Sequence, residues 1–513
     1  MDIGDERDDR ARGSQLEGQP TTGYLLRRPS SLSPRFAGDS ALLRWAPLAP
    51  QLTTVWNSAI PFSLNDGATW AGRGWTGRLQ LGIAAERDRF FLILAPELLV
   101  SENRRYEVAH PLTVLLRPPE RHPLSSPWHV FPSIDAPLRF GERRQTRVDF
   151  GQSTIGVRLG NAVAGLSTEN EWWGPGIRNA IVMSNHAPGI PRAFLRTDRP
   201  VPTPIGTLEG SWFLGALFES PYFDAQPAND KRSISGGVVV WQPQPQSGLS
   251  LGLARTSYAR IERWTSLPLH ALDLLRGRGT RAAGDSGFVV AREQIVSLFG
   301  RWVFPADRFA VHFEWARTEL PHSLRDLLTA PNHSQGYTLG LEWGTPVRRR
   351  QALLRLQAEA TYLEKSPSYR DRPVNSFYTS PAVAQGYTQR GQVIGAAIGQ
   401  GASSQWVGVD YFASRGRFGV FLGRIRWDDD ALYTFPTPFT AVAPNKWCAH
   451  DVSFYGGVTL ALERAWGRLR VAFTRAERLN VFFHNLTSCD LYPDPLAILD
   501  ARNTTIEIRF APR

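Results

Sequence analysis

Residues 354–362 read LRLQAEATY, and this stretch decides the fold. Every second residue is apolar or small and the residues between them are polar: Leu354, Leu356, Ala358, Ala360 and Tyr362 against Arg355, Gln357, Glu359 and Thr361. A period of two is typical of an extended strand, because successive side chains point to opposite faces. The stretch therefore predicts a β-strand with one apolar and one polar face.

The same alternation recurs along the chain, in residues 310–315, 338–343, 456–463 and 505–510. By itself it fits both a soluble sandwich and an outer-membrane barrel, whose apolar faces meet lipid while the polar faces line the lumen. No apolar run reaches the roughly 18 residues that a membrane helix needs, so any membrane span must consist of strands.

The lengths of the connections favour the barrel. Short connections at 305–307, 414–416 and 463–467 alternate with long ones near 264–288, 317–335, 364–402, 428–450 and 484–501. Short turns on one rim and long loops on the other are typical of outer-membrane barrels. We predict an all-β protein, a large antiparallel outer-membrane β-barrel of about 16–18 strands with short helices in its loops and N-terminal region. Residues 266–275 and 321–330 are the predicted loop helices, the second with leucines at helical spacing.

The chain divides into three predicted segments. Residues 1–40 are charged and without periodicity, which predicts a disordered or tether segment. Residues 41–75 form a predicted N-terminal periplasmic lead-in segment, and residues 76–513 the transmembrane barrel. The N-terminus lacks the apolar core of a secretory signal, which alone would indicate the cytoplasm; we interpret it as a missing or mis-started leader.

Composition supports a β-rich protein. Aromatic residues favour strands and glycine favours tight turns, and the chain has 17 Trp and 45 Gly. The net charge of +11 comes almost wholly from arginine, since the lysines are Lys231, Lys365 and Lys446. Arginine enrichment can follow from genome base composition, so the charge does not predict a nucleic-acid partner.

Residues 170–191, NEWWGPGIRNAIVMSNHAPGIP, combine two adjacent tryptophans with repeated turn residues. Glycine permits backbone angles closed to other residues and proline fixes φ, so structural turns are predicted at Gly174, Pro175, Gly176, Pro188 and Pro191. The run 172–176, followed by Ser184-Asn185 and Ala187-Pro188, resembles the hallmark segment of the Wzi family of capsule-assembly proteins. A second block, between Asn57 and Gly74, resembles the family less closely.

The resemblance implies an outer-membrane barrel of about eighteen strands with a blocked lumen. It further implies a non-enzymatic protein that binds capsular polysaccharide and attaches it to the cell surface. The expected partners are capsular or acidic surface polysaccharide and outer-membrane lipid, with a monomeric chain and no cofactor. The sequence departs from the family pattern at His186 and near Gly189, so ligand identity does not transfer.

Six residues of this segment are candidate polysaccharide ligands: Asn170, Glu171, Trp172, Trp173, Asn185 and His186. Sugar rings stack on tryptophan, their hydroxyl groups bond to amides and charged groups, and arginine favours acidic sugars. The alternative is that the tryptophans are interfacial anchors or pack a plug in the lumen.

Other functions are less well supported by the sequence. Gly284-Asp285-Ser286-Gly287 mimics a serine-protease nucleophile segment, but no matching His segment precedes it. Glu169 and Glu171 could form a hydrolytic pair in a soluble carbohydrate-active enzyme, and a wide barrel could be a porin-like channel. The histidines are scattered, so no metal site is expected.

Cys448 and Cys489 flank one predicted hairpin and could form a disulfide at the outer rim or stay unpaired.

Overall fold

The computed structural model describes most of the chain. The described residues are 6–18, 25–29, 42–106, 134–224, 226–244, 248–277, 279–281, 288–290, 292–321, 323–347, 352–430, 450–481 and 500–512. Cys448 and Cys489 lie outside these ranges, so the disulfide stays a prediction.

Up to residue 290, the described part of the chain contains one α-helix and sixteen strands. They are α1 (Glu6–Leu16), β1 (Leu26–Arg27), β2 (Arg44–Asn57), β3 (Gly74–Arg87), β4 (Phe90–Leu94), β5 (Glu97–Ser101), β6 (Gln145–Asp149), β7 (Thr154–Leu159), β8 (Ala162–Ser167), β9 (Trp172–Trp173), β10 (Arg192–Thr197), β11 (Val201–Thr203), β12 (Gly206–Phe218), β13 (Lys231–Gln242), β14 (Leu249–Arg260), β15 (Gly279–Arg281) and β16 (Phe288–Val290).

From residue 293 onward, the described elements are β17 (Glu293–Phe304), β18 (Phe309–Arg317), α2 (Leu324–Thr329), β19 (Gln335–Val347), β20 (Ala352–Tyr362), β21 (Thr388–Gln389), β22 (Gln392–Val393), β23 (Ser403–Ala413), β24 (Gly416–Trp427), β25 (Asp451–Arg464), β26 (Gly467–Leu479) and β27 (Ala501–Pro512). Short 3-10 helices span Trp264–His270, Asp273–Leu275 and Pro367–Arg370.

The large sheet is a closed antiparallel barrel of 18 strands. Three of the 18 are interrupted and consist of two short strands each: β4 with β5, β6 with β7, and β10 with β11. The last strand closes on the first, with Leu52 opposite Phe510 and Asn57 opposite Thr505. The prediction of a large outer-membrane barrel is confirmed. We call its two ends the short-turn rim, where β27 ends, and the long-loop rim.

The wall is apolar outside and polar inside. On β19, Leu339, Leu341 and Trp343 are exposed on the outer face, whereas Thr338 and Glu342 are buried. A soluble protein buries its apolar face instead, so this inversion identifies the exposed side as the lipid-facing side. Among the described residues, no helix is both long and apolar enough to cross a membrane.

The N-terminal segments differ from the prediction. Residues 6–16 form α1, a polar helix inside the short-turn half of the lumen, where Arg12 bonds to Glu342 and Gln357 of the wall. Ion pairs to a distant wall order this helix, so the charged composition misleadingly suggested disorder. Residues 44–57 form a barrel strand rather than a lead-in, because β2 pairs with both β27 and β3.

The predicted loop helices are present. The first folds as the two 3-10 helices at Trp264–His270 and Asp273–Leu275, and the second as α2. Ser323 caps α2, since its side chain accepts a hydrogen bond from the backbone N–H of Asp326 at 3.2 Å.

The protein core lies within the lumen. Two inward segments, residues 168–191 and 377–402, pack against each other there, and we call them together the plug. Tyr378 and Tyr387 stack at 5.8 Å between ring centroids. Their hydroxyl groups donate to the carbonyls of Ile181 at 2.7 Å and Val182 at 2.9 Å. The plug therefore joins segments almost two hundred residues apart in sequence.

Candidate functional site

The tryptophan pair forms the buried start of the plug. β1 pairs antiparallel with β9, with Leu26 opposite Trp173. Both tryptophans have 1% of their surface exposed, and they pack in opposite directions. Trp173 contacts Phe213 of the wall with ring centroids 5.7 Å apart, while the guanidinium of Arg27 lies 5.1 Å from the Trp172 ring. These rings therefore stabilise the plug and offer no free face to a sugar.

The predicted turns shape this segment. Gly174 has φ of +103°, a conformation that L side chains rarely adopt. A Cβ atom on Gly176 would lie 1.9 Å from the Asn179 carbonyl oxygen. The tight bend exposes three successive backbone N–H groups, those of residues 177–179, to the wall. Glu359 of β20 accepts hydrogen bonds from all three, at 3.0 Å from Arg178 and 2.9 Å from Asn179.

Glu169 and Glu171 are both buried and paired with arginine. Glu169 accepts a hydrogen bond from Arg196 at 2.6 Å, and Glu171 one from Arg192 at 3.0 Å. Glu171 also accepts the indole N–H of Trp173 at 2.8 Å. A hydrolytic pair needs two carboxyl groups that face a cleft, so these contacts fit a structural role and give no support to the hydrolase alternative.

The two sequence blocks meet in space. Asn65 donates its backbone N–H to Nδ1 of His186 at 3.3 Å, and Gly67 donates its own to the Asn185 carbonyl at 2.6 Å. Asn170 supports the same junction through its side-chain amide, which donates to the Ala187 carbonyl at 2.8 Å. The weaker sequence block is therefore the neighbour of the stronger one.

A pocket of about 230 Å³ opens above this junction at the long-loop rim, and we call it the mouth pocket. His186 belongs to its lining from the first block, and Phe62 and Trp70 from the second. Further lining residues include Tyr106, Ile134, Gln392, Gln400, Trp427, Asp428, Asp451 and Arg478. It thus combines aromatic rings with amide and charged groups, as sugar recognition requires.

The charged groups of the mouth pocket are held by neighbours. Arg478 donates two hydrogen bonds to Asp451, at 2.7 and 2.6 Å, and lies 5.0 Å from the Trp427 ring. Asp428 accepts from Gln400 at 2.9 Å. Burial raises the pKa of Asp428 to about 7, and the nearby Asp430 and Asp429 carboxylates add to the effect. Burial lowers the pKa of His186 to about 4, so this imidazole is neutral at pH 7.

Of the six predicted ligands, His186 alone lines the mouth pocket. Asn170, Glu171 and the two tryptophans are buried within the plug, and Asn185 contributes its backbone carbonyl to the junction. Sequence reasoning missed Trp427 and Asp428. Trp427 ends a strand, where tryptophan also fits the aromatic belt of any barrel, so no local signal marked it.

A second cavity of about 130 Å³ lies deeper, between α1 and the plug. Its lining combines apolar side chains with charged groups of both signs, namely Asp9, Arg12, Asp66, Arg178, Asp410, Arg417, Arg470 and Glu507. At the long-loop rim, carboxylate oxygens of Glu219, Asp224 and Asp230 lie within 4.8 Å of one another. Gln385 and Asn229 already donate to two of these three groups.

Comparison with solved structures identifies the architecture. Wzi of Escherichia coli superposes with a TM-score of 0.54 and 12% identity, over 90% of this chain and 84% of Wzi. The chain has the fold of Wzi. Wzi is described as an outer-membrane protein involved in group 1 capsule assembly and as a carbohydrate-binding β-barrel. The closed barrel with its apolar outer face, together with this shared fold, identifies the chain as an outer-membrane barrel.

More distant similarity extends to other outer-membrane barrels. Acinetobacter baumannii OccAB3 matches with a TM-score of 0.41 and 10% identity, over 90% of this chain and 98% of OccAB3. Pseudomonas aeruginosa opdK matches with a TM-score of 0.36 and 10% identity, over 91% of this chain and 98% of opdK. No protein family matches the sequence, and neither does any curated protein.

Proposed function

We propose that this protein is a non-enzymatic, monomeric attachment protein for capsular or another surface polysaccharide, which it binds at the mouth pocket. The observation that carries the proposal is the composition of that pocket. Trp70 and Trp427 lie in its lining together with Gln392, Gln400 and Arg478. Aromatic rings stack on the C–H faces of sugars, while amides and guanidinium groups bond to hydroxyl and carboxylate oxygens.

The position of the pocket supports the same function. It lies at the long-loop rim, the outer side of an outer-membrane barrel, where a polysaccharide on the cell surface has access. Below it, the plug and α1 occupy the lumen, an arrangement better suited to holding a ligand than to passing one. Wzi, whose fold the chain shares, is itself described as carbohydrate-binding, which adds weight to this choice.

Binding of defined polysaccharides by the refolded protein tests the proposal. Suitable probes are alginate, a uronic-acid polymer, and dextran, a neutral one, with affinity measured by calorimetry. We expect the wild type to retain one or both. Trp70→Ala and Trp427→Ala should each weaken binding by about fivefold, because each removes a stacking face worth roughly 1 kcal/mol.

Trp343→Ala is the matched control, since this tryptophan is also partly exposed but lies on the lipid-facing wall. Its binding should equal that of the wild type. Heat-modifiable gel mobility reports whether each variant is folded. If a tryptophan variant does not fold, Gln400→Ala replaces it, because Gln400 lines the same pocket. Unchanged affinity in folded pocket variants, or no retention of either polymer by the wild type, contradicts the proposal.

A further inference from the structure

The outer face of the barrel is unusually polar near the long-loop ends of β13, β14 and β17. Ser235, Ser257 and Gln294 lie side by side there in register. Their sequence neighbours Ile234, Tyr258 and Ile295 belong to the core inside the lumen, so these three side chains point outward. All three are nevertheless buried. Polar groups facing lipid are costly, so something must cover them.

The covering element is the loop segment 261–277, which we call the flap. Its Ala271 carbonyl accepts hydrogen bonds from Trp212 Nε1 at 3.1 Å and Ser235 Oγ at 2.9 Å. Arg255 donates to the Arg276 carbonyl at 2.7 Å and to Gln294 at 2.6 Å. Trp212 precedes the core residue Phe213 and thus faces outward. The flap is therefore fixed against the outside of the wall.

A buried carboxylate holds the flap in shape. Asp273 has 2% of its surface exposed. It bonds to His270 at 2.6 Å and to Arg276 at 3.1 Å, and Arg292 lies 3.6 Å away. Trp264, at the start of the flap, packs on Phe218 with ring centroids 5.2 Å apart. These contacts hold one face of the flap against the wall, so the opposite face points away from the barrel.

That outer face consists largely of leucine. Leu269, Leu272 and Leu275 are 72%, 55% and 69% exposed. They continue the lipid-facing surface of the adjoining strands, where Leu253 and Val239 are 56% and 53% exposed. Arg263 and Arg276 lie at the two ends of the leucine-rich stretch and are also exposed. Apolar side chains flanked by arginine are typical of elements that lie in a membrane interface.

We propose that the flap is an interfacial membrane anchor, with Leu269, Leu272 and Leu275 among the acyl chains of the outer leaflet. Arg263 and Arg276 would then lie at the level of the anionic head groups. Continuity with the lipid-facing strands argues for lipid as the occupant of this face. The flap replaces a polar patch of wall with an apolar surface, which extends the hydrophobic band of the barrel on this side.

Spin-label accessibility in lipid vesicles tests the proposal. In a Cys448→Ser, Cys489→Ser background, a nitroxide is placed at Leu272→Cys. Leu253→Cys on the lipid-facing wall is the positive control. Leu324→Cys on α2 is the matched control, because this leucine is 71% exposed but lies in the long loop between β18 and β19, outside the flap. We expect the label at 272 to be accessible to oxygen and shielded from a water-soluble nickel complex, as at 253. Label exposure to the nickel complex, as expected at 324, overturns the proposal.

Trypsin protection gives a readout that needs no label. The flap of the wild type in vesicles should resist cleavage after Arg263 and Arg276. The triple variant Leu269→Ser, Leu272→Ser, Leu275→Ser should lose that protection, whereas Leu324→Ser, Leu328→Ser should keep it. Cleavage of the wild-type flap in vesicles, or a 272 label shielded from both oxygen and nickel as under a protein partner, would contradict insertion into lipid.

Discussion

At the scale of single residues, we expect Asp428 to make polysaccharide binding at the mouth pocket depend on pH. Burial, followed by repulsion from Asp430 and Asp429, raises its pKa to about 7. The group is therefore mostly neutral below that pH and mostly a carboxylate above it. Binding of an acidic polysaccharide should weaken between about pH 6 and pH 8, by roughly fivefold, since one added charge near a sugar carboxylate costs about 1 kcal/mol.

Asp428→Asn should remove this pH dependence, because the amide does not ionise. Dextran, which carries no charge, should bind equally at both pH values. Calorimetry at the two pH values with both polymers checks the prediction. A wild-type affinity for alginate that rises with pH would exclude Asp428 as the controlling group.

At the scale of elements, the contact between β20 and the plug depends on Glu359. Its carboxylate accepts three backbone N–H groups of the bend at residues 177–179. Glu359→Gln replaces one acceptor oxygen with a donor that faces an N–H group. We expect a loss of about 2 kcal/mol in stability, the range for hydrogen bonds to charged groups.

Urea unfolding in vesicles measures this loss, and amide hydrogen exchange at residues 178 and 179 localises it. Glu477→Gln is the control, since this carboxylate is an exposed partner of Arg502 on the outer wall. Exposed ion pairs contribute little, so the control should change stability by less than about 1 kcal/mol. Equal losses in both variants would mean that Glu359 does not hold the plug.

The sequence predicted the strands of the barrel wall better than the segments that fill the lumen. Alternation such as that in residues 354–362 gives the strand and its two faces, because each strand meets lipid on one side. Gly174 and Pro175 predicted a bend. They did not predict that Glu359 accepts hydrogen bonds from this bend or that Tyr378 packs behind it. Those partners lie roughly two hundred residues away, as in the 182 residues between Ile177 and Glu359, and no local period encodes them. The mouth pocket was missed for the same reason, since five loops contribute to it.

At the scale of the whole molecule, α1 fills the short-turn side of the lumen and is held there by ion pairs. Asp9 pairs with Arg12 on its own helix and with Arg355 and Arg417 on the wall. Burial opposes ionisation of Asp9, but these guanidinium groups outweigh it and hold the pKa well below its usual range. The stabilisation is present above the carboxyl's ordinary pKa and is lost only in strong acid.

Planar-bilayer conductance tests whether this network keeps the barrel closed. The wild type should be silent at pH 7 and still silent at about pH 5, because Asp9 stays ionised at both. Asp9→Ala leaves buried arginines without their shared partner, which is strongly destabilising, so α1 should loosen and single-channel openings should appear. Arg10→Ala, which breaks only the exposed pair with Glu463, should remain silent. Steady conductance of the wild type would favour the porin-like channel instead. If folded Asp9→Ala stays silent, the charge of Asp9 is not what keeps α1 in the lumen.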